Sequence, residues 1–412
     1  MEDLLFLCHR LPFPPDRGDR IRMTHVLRHL AGSFRVHLGC LIDTPDAALY
    51  LPQLRALCAS VAAIPAAPLT RAVRAAARLR PGRALSSGWF AHPALDRYVD
   101  ATTARVHPVA TYIYGATMFP ARPPGAAILD MVECDSDKWD ARAASGAGPV
   151  RALWRREAGA LRALEATAAR RARATLFVSA ADAAAFRARH PDLGATIDHV
   201  ENGVDAAYFS PSHRFPSPFA TPGPHIVFTA SFDYWPNDEA ARWFAAEVLP
   251  RLRGRPVLHL VGAAPSAALR RLARAPDIAV TGRVADIRPY LAHADLAVAP
   301  LLWARGLQNK VLEAMAMGRP TVVSGAAFQG LRAEPGRDLL VADGAAAMAA
   351  AIGAVLDGAH PGLGAAGRDC VASGYGWATT LGRLDAVLGR ALGGLPDRSA
   401  TGILPRQART DA

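Results

Sequence analysis

The sequence predicts an α/β protein built from two doubly wound domains that face each other across a cleft. Its length of 412 residues fits two domains of ordinary size. Hydrophobic residues make up 51% of the chain and charged residues 20%, a balance that supports a large core and is not typical of disorder. Short apolar runs alternate with helical segments along most of the chain, which is typical of parallel sheets covered by helices.

The first half begins with a strand, a loop, a helix and a second strand. The apolar run 4–8 predicts a buried strand, and a loop rich in Pro at 12–18 leads from it into a helix over 19–30. The other elements predicted in this half are the strand 36–41, a helical region at 69–80, the strands 111–114 and 127–132, a long helix within 150–173 and the strand 175–179.

The second half alternates more regularly. Residues 209–224 are rich in Ser and Pro, which predicts a linker between a first domain at 1–208 and a second at 225–376. The predicted strands are 225–230, 257–262, 278–281, 296–300 and 321–324, and the predicted helices are 238–252, 266–274, 286–293 and 308–317. We expect a helix at 377–394 to pack back on the first domain and a disordered tail at 395–412.

The charge and the cysteines narrow the function only a little. The formal net charge is +11, but all of the 47 basic residues except Lys138 and Lys310 are arginine, which indicates a compositional bias. Basic and aromatic residues do not interleave as in nucleic-acid-binding modules, so we expect no nucleic-acid partner. The five cysteines are scattered without a zinc-binding spacing, which favours a reduced compartment.

The sequence also bears on localisation. The apolar run 4–8 is too short for a secretion signal, and no apolar run approaches the ~18 residues of a membrane span. We therefore expect a cytoplasmic protein. The basic stretches 70–83 and 151–173 carry Ala and Leu on one side and Arg on the other, so each is either a contact with an anionic membrane at its inner face or a solvated surface.

The strongest candidate site follows the predicted strand 296–300. Ligands of open parallel sheets bind at the carboxyl ends of the strands, and residues 301–313, LLWARGLQNKVLE, place a polar cluster there at a helix start. Helix-terminal N–H groups with Lys310 and Arg305 can bind a diphosphate, and Glu313 can accept hydrogen bonds from two ribose hydroxyls. The alternative is a solvated ion pair between Lys310 and Glu313.

Several motifs resemble those of the retaining glycosyltransferases of family 4, which have the two-domain GT-B architecture. They are GLQNKVLEAMAMGRPTVVS at 306–324, ENGVD at 201–205, FTASFDYWPNDEAARWF at 228–244, VGAAP at 261–265 and VTGRVADIRPYLAHADLAVAPL at 280–301. PPDRGDRIR at 14–22 and DMVECDSDKW at 130–139 resemble the branch of sugar transferases associated with exosortase (PEP-CTERM) exopolysaccharide systems. The resemblance spans roughly residues 4–390.

The resemblance implies a hexosyltransferase that moves a sugar, with retention, from a UDP- or GDP-linked donor to a saccharide or polyprenyl-linked saccharide acceptor. The resemblance is to a metal-independent class, so it implies no metal or other cofactor. It also implies no separate Asp or Glu nucleophile, because the departing diphosphate itself accepts the proton of the acceptor, while Lys310, Arg305 and helix-end N–H groups stabilise its charge. Glu313 matches the second glutamate of the family's paired-Glu motif and implies contact with the ribose. The first glutamate of that pair, eight residues earlier, is replaced by Arg305.

Other donor contacts follow from the resemblance. The family's usual phosphate-binding Arg and Lys are absent, with Ser231 and Asn237 in that stretch, which leaves Lys310 and Arg305 for the diphosphate. The remaining predicted donor contacts are Gly18, Asp19 and Arg20 after the first strand, Gly282 and Arg283, and Gly306, Leu307, Gln308 and Asn309. For the loop at 18–20 the alternative is an ordinary turn in which Asp19 caps the helix.

The predicted acceptor side is less well defined. Asp135 and Asp137 form an Asp-x-Asp pattern, which binds a divalent metal in GT-A glycosyltransferases. So short a pattern arises easily by chance, so we predict no metal site and expect the loop, with Lys138 and Trp139, to shape the acceptor side. His9 follows the first strand and is a further candidate, with a structural role as the alternative.

Two other functions are compatible with this architecture. A sugar-nucleotide epimerase would require acid and base carboxylates and a His around the cleft, and the motifs at 201–205 and 310–318 argue against it. A non-catalytic scaffold that binds a sugar nucleotide is suggested by Arg305, which stands in place of the first glutamate.

Overall fold

The structure, a computed structural model, describes residues 1–42, 46–78, 80 and 82–393. Within these ranges the strands form two separate parallel sheets, so the two-domain, doubly wound α/β architecture that the sequence predicts is confirmed. The tail predicted at 395–412 lies outside the described residues. None of the described helices combines the length and the apolar character needed to cross a bilayer.

The first sheet is built from β1 (Asp3–Cys8), β2 (Arg35–Ile42), β3 (Ser60–Pro65), β4 (Ala110–Tyr114), β5 (Ala126–Val132), β6 (Ala174–Phe177) and β7 (Ile197–His199). In the described part of the chain their order is β3-β2-β1-β4-β5-β6-β7. The helices are α1 (Gly18–Ala31), α2 (Ala47–Leu57), α3 (Pro68–Ala77), α4 (Leu85–Phe90), α5 (Pro93–Val106), α6 (Asp135–Ala144), α7 (Gly148–Arg171) and α8 (Ala180–Arg189).

Strand β1 shows why the sequence folds in this way. Leu4 and Phe6 point to one face of the sheet and pack with α1, while Leu5 and Leu7 point to the other face, where α5 and α7 cover them. A strand that is buried on both faces carries apolar residues in succession, which is why residues 4–8 form a continuous apolar run. The strand order reverses between β1 and β4, and a crevice for ligands opens at such a switch point.

The second sheet repeats the design with β8 (His225–Thr229), β9 (Val257–Val261), β10 (Ile278–Gly282), β11 (Leu296–Ala299), β12 (Thr321–Val323) and β13 (Leu340–Val341). Over the described residues the order is β10-β9-β8-β11-β12-β13, with the switch between β8 and β11. The helices are α9 (Trp235–Trp243), α10 (Ala267–Leu272), α11 (Arg288–His293), α12 (Asn309–Ala316), α13 (Gly325–Phe328), α14 (Ala345–Leu356), α15 (Leu363–Gly374) and α16 (Trp377–Ala391).

Two segments connect the domains. Residues 200–224 contain no regular helix or strand, and Phe215 and Phe219 in this stretch pack against the second domain beside α11. Helix α16 returns to the first domain and buries Trp377, Leu384 and Leu388 in the core beneath β1. At the start of α16, Gly203 lies directly against Trp377, because a Cβ at this glycine would come within 2.8 Å of the Cα of Trp377.

Candidate active site

Both switch points open on one cleft of about 1580 Å³ between the domains. Its walls come from the loops that follow β1, β4 and β5 in the first sheet and β8 to β11 in the second. These loops meet because the carboxyl ends of parallel strands lie at one edge of each sheet, and the two edges face each other.

On the second-domain side, Lys310 in the first turn of α12 has a neutral hydrogen-bond partner. Its Nζ donates to Oδ1 of Asn237, at 2.6 Å, and lies 5.2 Å from the centre of the Phe228 ring. The amide of Asn237 is fixed in turn, since its Nδ2 donates to the carbonyl oxygen of Ser231 at 2.8 Å. A neutral amide positions the ammonium without neutralising its charge.

Glu313 is buried and Lys310 is half-buried in the wall of the cleft. Burial lowers the pKa of Lys310 to about 7, and the nearby Glu313 only partly offsets this effect. Burial likewise raises the pKa of Glu313 to about 7, against the favourable charge of Lys310. Glu313 is 9% exposed, so the solvated ion pair considered from the sequence is wrong. The pair presents a cation and a carboxyl group in a region of low dielectric, where a ligand's charge and hydroxyl groups interact strongly with them.

The N-terminus of α12 lies opposite the loop that follows β1. Asn309, the first residue of the helix, accepts through Oδ1 a hydrogen bond from Nδ2 of Asn202, at 2.9 Å. Its own Nδ2 is buried and has no hydrogen-bond partner among the described residues. A Cβ placed on Gly18 would lie 3.8 Å from this nitrogen. An unpartnered donor beside a glycine at a helix N-terminus provides the geometry that an anionic ligand requires.

The first-domain side carries a dense group of charges. Asp19 lies 3.3 Å from Nε of Arg10, 3.7 Å from Nε of Arg17 and 3.8 Å from Nε2 of His9. Burial opposes ionisation of this carboxyl, but the hydrogen bond to His9 and the charges of Arg10 and Arg17 hold its pKa well below the usual range. The Asp19 charge is therefore compensated within the protein.

Two ion pairs cross the cleft. Nη1 of Arg17 lies 2.9 Å from Oδ2 of Asp233, and Nη1 of Arg283 lies 2.6 Å from Oδ2 of Asp16. Each pair joins the loop before α1 to a loop of the second domain. They hold the two walls in register at the mouth of the cleft.

Helix α6 carries a second charged group on the first-domain side. Asp135 forms an ion pair with Lys138, one turn later. Asp137 lies 2.7 Å from Nη1 of Arg189 and 3.8 Å from Nη2 of Arg305. The two carboxylates of the Asp-x-Asp pattern are thus engaged by different cations.

The structural comparisons identify the architecture. The sucrose-phosphate synthase from Thermosynechococcus elongatus superimposes with a TM-score of 0.68 at 15% identity, over 95% of this chain and 100% of that chain. HepE from Anabaena in complex with UDP-glucose gives a TM-score of 0.66 at 15% identity, over 94% and 100%. WaaG, a glycosyltransferase involved in lipopolysaccharide biosynthesis, also gives 0.66, at 12% identity over 94% and 100%. The fold is GT-B.

The sequence comparison is confined to the second domain of this GT-B chain. Residues 223–358 match the family model described as glycosyl transferases group 1. This range contains α12 and the loop before it, with Lys310 and Glu313. No curated protein matches the sequence.

Most of the predicted site residues line the GT-B cleft. On the donor side these are Gly18, Asp19, Arg283, Arg305, Gly306, Leu307, Gln308, Asn309, Lys310 and Glu313, and on the acceptor side His9, Asp135, Lys138 and Trp139. The loop before α12 therefore shares a cleft with residues more than a hundred positions away in the sequence.

Two predicted donor contacts do not line the cleft. Arg20 is 6% exposed, and its Nη1 donates to Oδ1 of Asp16 at 3.1 Å, so its guanidinium is buried against the protein. Gly282 ends β10 with φ +71°, and it acts instead as the turn from which Arg283 enters the cleft. Both residues therefore lie behind the cleft wall, and each can influence a donor only through a neighbour.

Two local predictions also need correction. Asp19 does not cap α1, because the N-cap position is occupied by Arg17 and Asp19 lies within the first turn. There its negative charge still favours the helix N-terminus. Residues 135–139, expected in a loop, form the start of α6. The acidic residues Asp135 and Asp137 in its first turn stabilise that helix end in the same way.

Sequence reasoning missed three residues of the cleft. Asn202 links α1 to α12, since its Oδ1 accepts from Nη1 of the buried Arg22 and its Nδ2 donates to Asn309. Asn237 was noted only as a departure from the family pattern, yet it is the partner of Lys310. Glu133 lines the cleft beside Gly306. All three lie within quoted motifs, but a motif does not say which of its members reach across to another domain.

The first-domain wall continues into an aromatic region. Trp89, Phe90, Trp139 and Trp154 line the cleft there, and the ring of His9 lies 5.1 Å from the ring of Phe90. Aromatic faces of this kind pack against sugar rings or against apolar chains.

Proposed function

We propose that the protein is a retaining glycosyltransferase of family 4, a hexosyltransferase that takes its sugar from a nucleotide sugar. One observation carries the proposal. In a GT-B cleft, Lys310 lies at the N-terminus of α12 with a neutral partner and a pKa lowered by burial, next to the unpartnered Nδ2 of Asn309. These donors fit a diphosphate, whose negative charge would pair with the ammonium group that Asn237 leaves without a charged hydrogen-bond partner.

The proposed transfer assigns a step to each of these groups. The bond between the anomeric carbon and the diphosphate oxygen breaks, and the diphosphate departs with the electron pair. The acceptor hydroxyl oxygen forms a new bond to the same face of that carbon, and its proton passes to the departing diphosphate. Lys310, Arg305 and the N–H groups that begin α12 stabilise the charge that develops on the leaving group. Glu313 accepts hydrogen bonds from the ribose hydroxyls.

We further propose that the reaction needs no metal ion. The leaving-group charge has protein cations to stabilise it, and the carboxylates that could hold a metal are already paired. Asp135 is bound by Lys138 and Asp137 by Arg189. Release of either carboxylate to a metal would leave a cation of the protein without its partner.

The acceptor is a saccharide or a polyprenyl-linked saccharide, and the setting is exopolysaccharide assembly of the PEP-CTERM type. The aromatic region of the first-domain wall supports this part of the proposal, because it adjoins α3. Ala72, Ala75 and Ala76 of α3 also line the cleft, which extends the apolar surface toward the protein exterior. This apolar path suits the lipid part of such an acceptor.

We also propose that the surface around α3 makes a peripheral contact with an anionic membrane on the cytoplasmic side. Helix α3 turns Arg71 inward, where it donates to the carbonyl oxygen of Ala66, and leaves Leu69 76% and Val73 61% exposed. The exposed side of α3 is therefore apolar, not basic. Leu153 at the start of α7 is also exposed and lines the cleft, beside exposed arginines of that helix.

Vesicle binding tests the membrane contact. Vesicles containing phosphatidylglycerol are expected to carry the protein in flotation, and Leu69→Asp combined with Val73→Asp is expected to abolish this binding. Leu49→Asp changes an equally exposed leucine of α2 and serves as the matched control. Equal loss of binding in the control, or no binding by the wild type, would contradict the proposal.

A donor panel tests the function itself. UDP-, GDP- and ADP-sugars are screened for thermal stabilisation, beginning with UDP-glucose because HepE is described in complex with it. The bound donor is then assayed for hydrolysis and for transfer, and the anomeric configuration of the product is read by NMR. An inverted product would remove the retaining mechanism. Binding without any turnover would favour the scaffold suggested by Arg305.

A further inference from the structure

Strand β5 ends in a strained turn. Val132 has φ +67°, a left-handed conformation that is unfavourable for a β-branched residue. The N–H of Glu133 donates to the carbonyl oxygen of Met131 at 2.8 Å, which closes a three-residue turn. The pairing of β5 with β6 is irregular at the same place, between Asp130 and Val132. Bulges and strain of this kind re-aim side chains and cluster at binding sites.

The turn directs Glu133 across the cleft. A Cβ placed on Gly306 would lie 3.3 Å from Oε2 of Glu133, so this carboxylate lies against the backbone of the loop that precedes α12. Gly306 has φ +66°, and its missing side chain leaves the room that the carboxylate occupies. A residue of the first domain thus reaches the segment of the second domain where the diphosphate is expected.

The cations nearest to Glu133 have other partners. Lys138 is paired with Asp135, and Arg305 lies 3.8 Å from Asp137. Burial, together with the charge of Asp135, outweighs the attraction of Lys138 and Arg305 and raises the pKa of Glu133 to about 7. The carboxyl group is partly exposed and belongs to the cleft wall, so it is available to a ligand.

The chemistry of a carboxyl group decides which part of a ligand it can meet. Phosphate oxygens accept hydrogen bonds and carry negative charge, so a carboxylate repels them, whereas sugar hydroxyls donate hydrogen bonds and match it. The sugar of a nucleotide sugar is bonded directly to the terminal phosphate. A carboxylate just beyond the N-terminus of α12 therefore lies within one sugar ring of the diphosphate.

We propose that Glu133 binds the transferred sugar by accepting hydrogen bonds from two of its hydroxyl groups. The assignment rests on the proposed function and names the part of the donor that Glu133 recognises. The nucleotide diphosphate is then held by the second domain, while the sugar is held from the first. Glu133 also selects among donors, because a sugar without two suitably placed hydroxyls displaces water from this half-buried carboxylate and leaves it unpaired.

Glu133→Gln tests the assignment, since it keeps the shape of the side chain and replaces one acceptor oxygen by a donor. The wild type is first tested by calorimetry with two ligand pairs, UDP with UDP-glucose and GDP with GDP-mannose. The variant is then measured with the pair that the wild type binds. We expect about tenfold or more weaker binding of the nucleotide sugar and a change of less than about twofold for the nucleotide diphosphate. The melting temperature of each variant verifies that it folds.

Two controls separate this role from others. Glu247→Gln removes an exposed carboxylate paired with Arg251 and is expected to change neither affinity. Asp135→Asn removes a neighbouring charge and is expected to weaken both ligands to the same small extent or not at all. Equal weakening of nucleotide and nucleotide sugar in Glu133→Gln, or a change confined to the KM of the acceptor, would overturn the assignment. If the wild type turns over a nucleotide sugar and Glu133→Gln binds that nucleotide sugar normally, the inference about Glu133 is overturned and the proposed function stands. If the wild type binds neither the nucleotide diphosphate nor the nucleotide sugar, the inference and the proposed function are both overturned.

Discussion

Lys138 and Lys310, the two lysines of the chain, lie on opposite walls of the cleft and differ in what surrounds them. Burial acts to lower the pKa of both lysines. At Lys138 the charges of Asp135 and Glu133 outweigh this effect, so the pKa lies above the usual value. At Lys310 the hydrogen-bond partner is the neutral Asn237, and the pKa falls to about 7. The partner decides whether a buried charge serves the protein's own structure or remains available to a ligand.

Most charged side chains on the first-domain side resemble Lys138 in having a charged partner, and Glu133 is an exception. The pairing extends into the core. Nε and Nη2 of Arg22 donate to the two carboxylate oxygens of Asp130, at 2.8 and 3.0 Å, and Nη1 donates to the carbonyl oxygen of Val200. Lys310 is the contrasting case, and the following changes test how far that contrast extends.

The largest effect is expected from Arg22→Leu. Loss of the guanidinium leaves Asp130 buried and without its ionic partner, so the free energy of unfolding should fall by about 3 to 5 kcal/mol. Urea denaturation measures it. Arg283→Leu breaks an exposed pair with Asp16 and should cost less than about 1 kcal/mol. Similar losses in the two variants would show that burial does not distinguish these pairs.

The next effect is expected from Lys310→Met, which should weaken binding of the nucleotide diphosphate by about tenfold or more. Stability should be unchanged or higher, because the substitution removes a buried charge that lacks a carboxylate hydrogen-bond partner. Lys138→Met is the matched control on the other wall. It leaves Asp135 unpaired and should reduce stability while it changes nucleotide affinity little. The opposite pattern would reverse our assignment of the two lysines.

A smaller effect concerns pH. Lys310 has a pKa of about 7 in the folded protein and an ordinary value of 10.5, so between these values the folded state binds fewer protons at this residue than the unfolded chain. Its contribution therefore makes the free energy of unfolding rise with pH from about 7 to 10.5. Lys310→Met should remove this part of the slope in urea denaturation measured at several pH values. If the free energy of unfolding has the same pH dependence in the wild type and in Lys310→Met, Lys310 keeps its charge over this pH range in the folded protein.

The smallest effect is expected from Asp135→Ala. If the paired carboxylates hold no metal, EDTA should leave the transfer rate of the wild type unchanged and manganese should add nothing. The variant should show the same absence of response, whatever its basal rate. Loss of activity in EDTA that manganese restores would revive the metal-binding interpretation of Asp135 and Asp137.

The sequence was sufficient for elements whose pattern is local. The buried strands β1, β8 and β11 carry uninterrupted apolar runs at 4–8, 226–228 and 296–299. The helix start at α12 is visible in the residues that precede Lys310. Of the four edge strands of the described sheets, β10 was predicted, whereas β3, β7 and β13 were not. Two of them are very short, and an edge strand lacks the two-sided burial that makes an apolar run continuous.

The limits at the cleft have a different cause. Arg20 and Asp19 are adjacent in sequence, yet only Asp19 lines the cleft, because successive helical residues point in directions about 100° apart. The partnership of Asn237 with Lys310 joins residues 73 positions apart. The direction of Glu133 depends on the left-handed conformation of Val132, which the identity of a valine does not suggest. Such contacts follow from tertiary structure, not from local pattern.

Helix α16 has a consequence for how the protein is made. The ribosome releases β1 to β7 first, together with α1, but the part of the first-domain core that Leu384 and Leu388 cover stays exposed until these residues are synthesised. At ordinary elongation speeds the intervening residues take on the order of 10 to 40 s to synthesise. During that interval the nascent first domain exposes apolar surface. Loss of the last helical turns should therefore reduce the yield of folded protein more than it changes ligand binding by the protein that does fold.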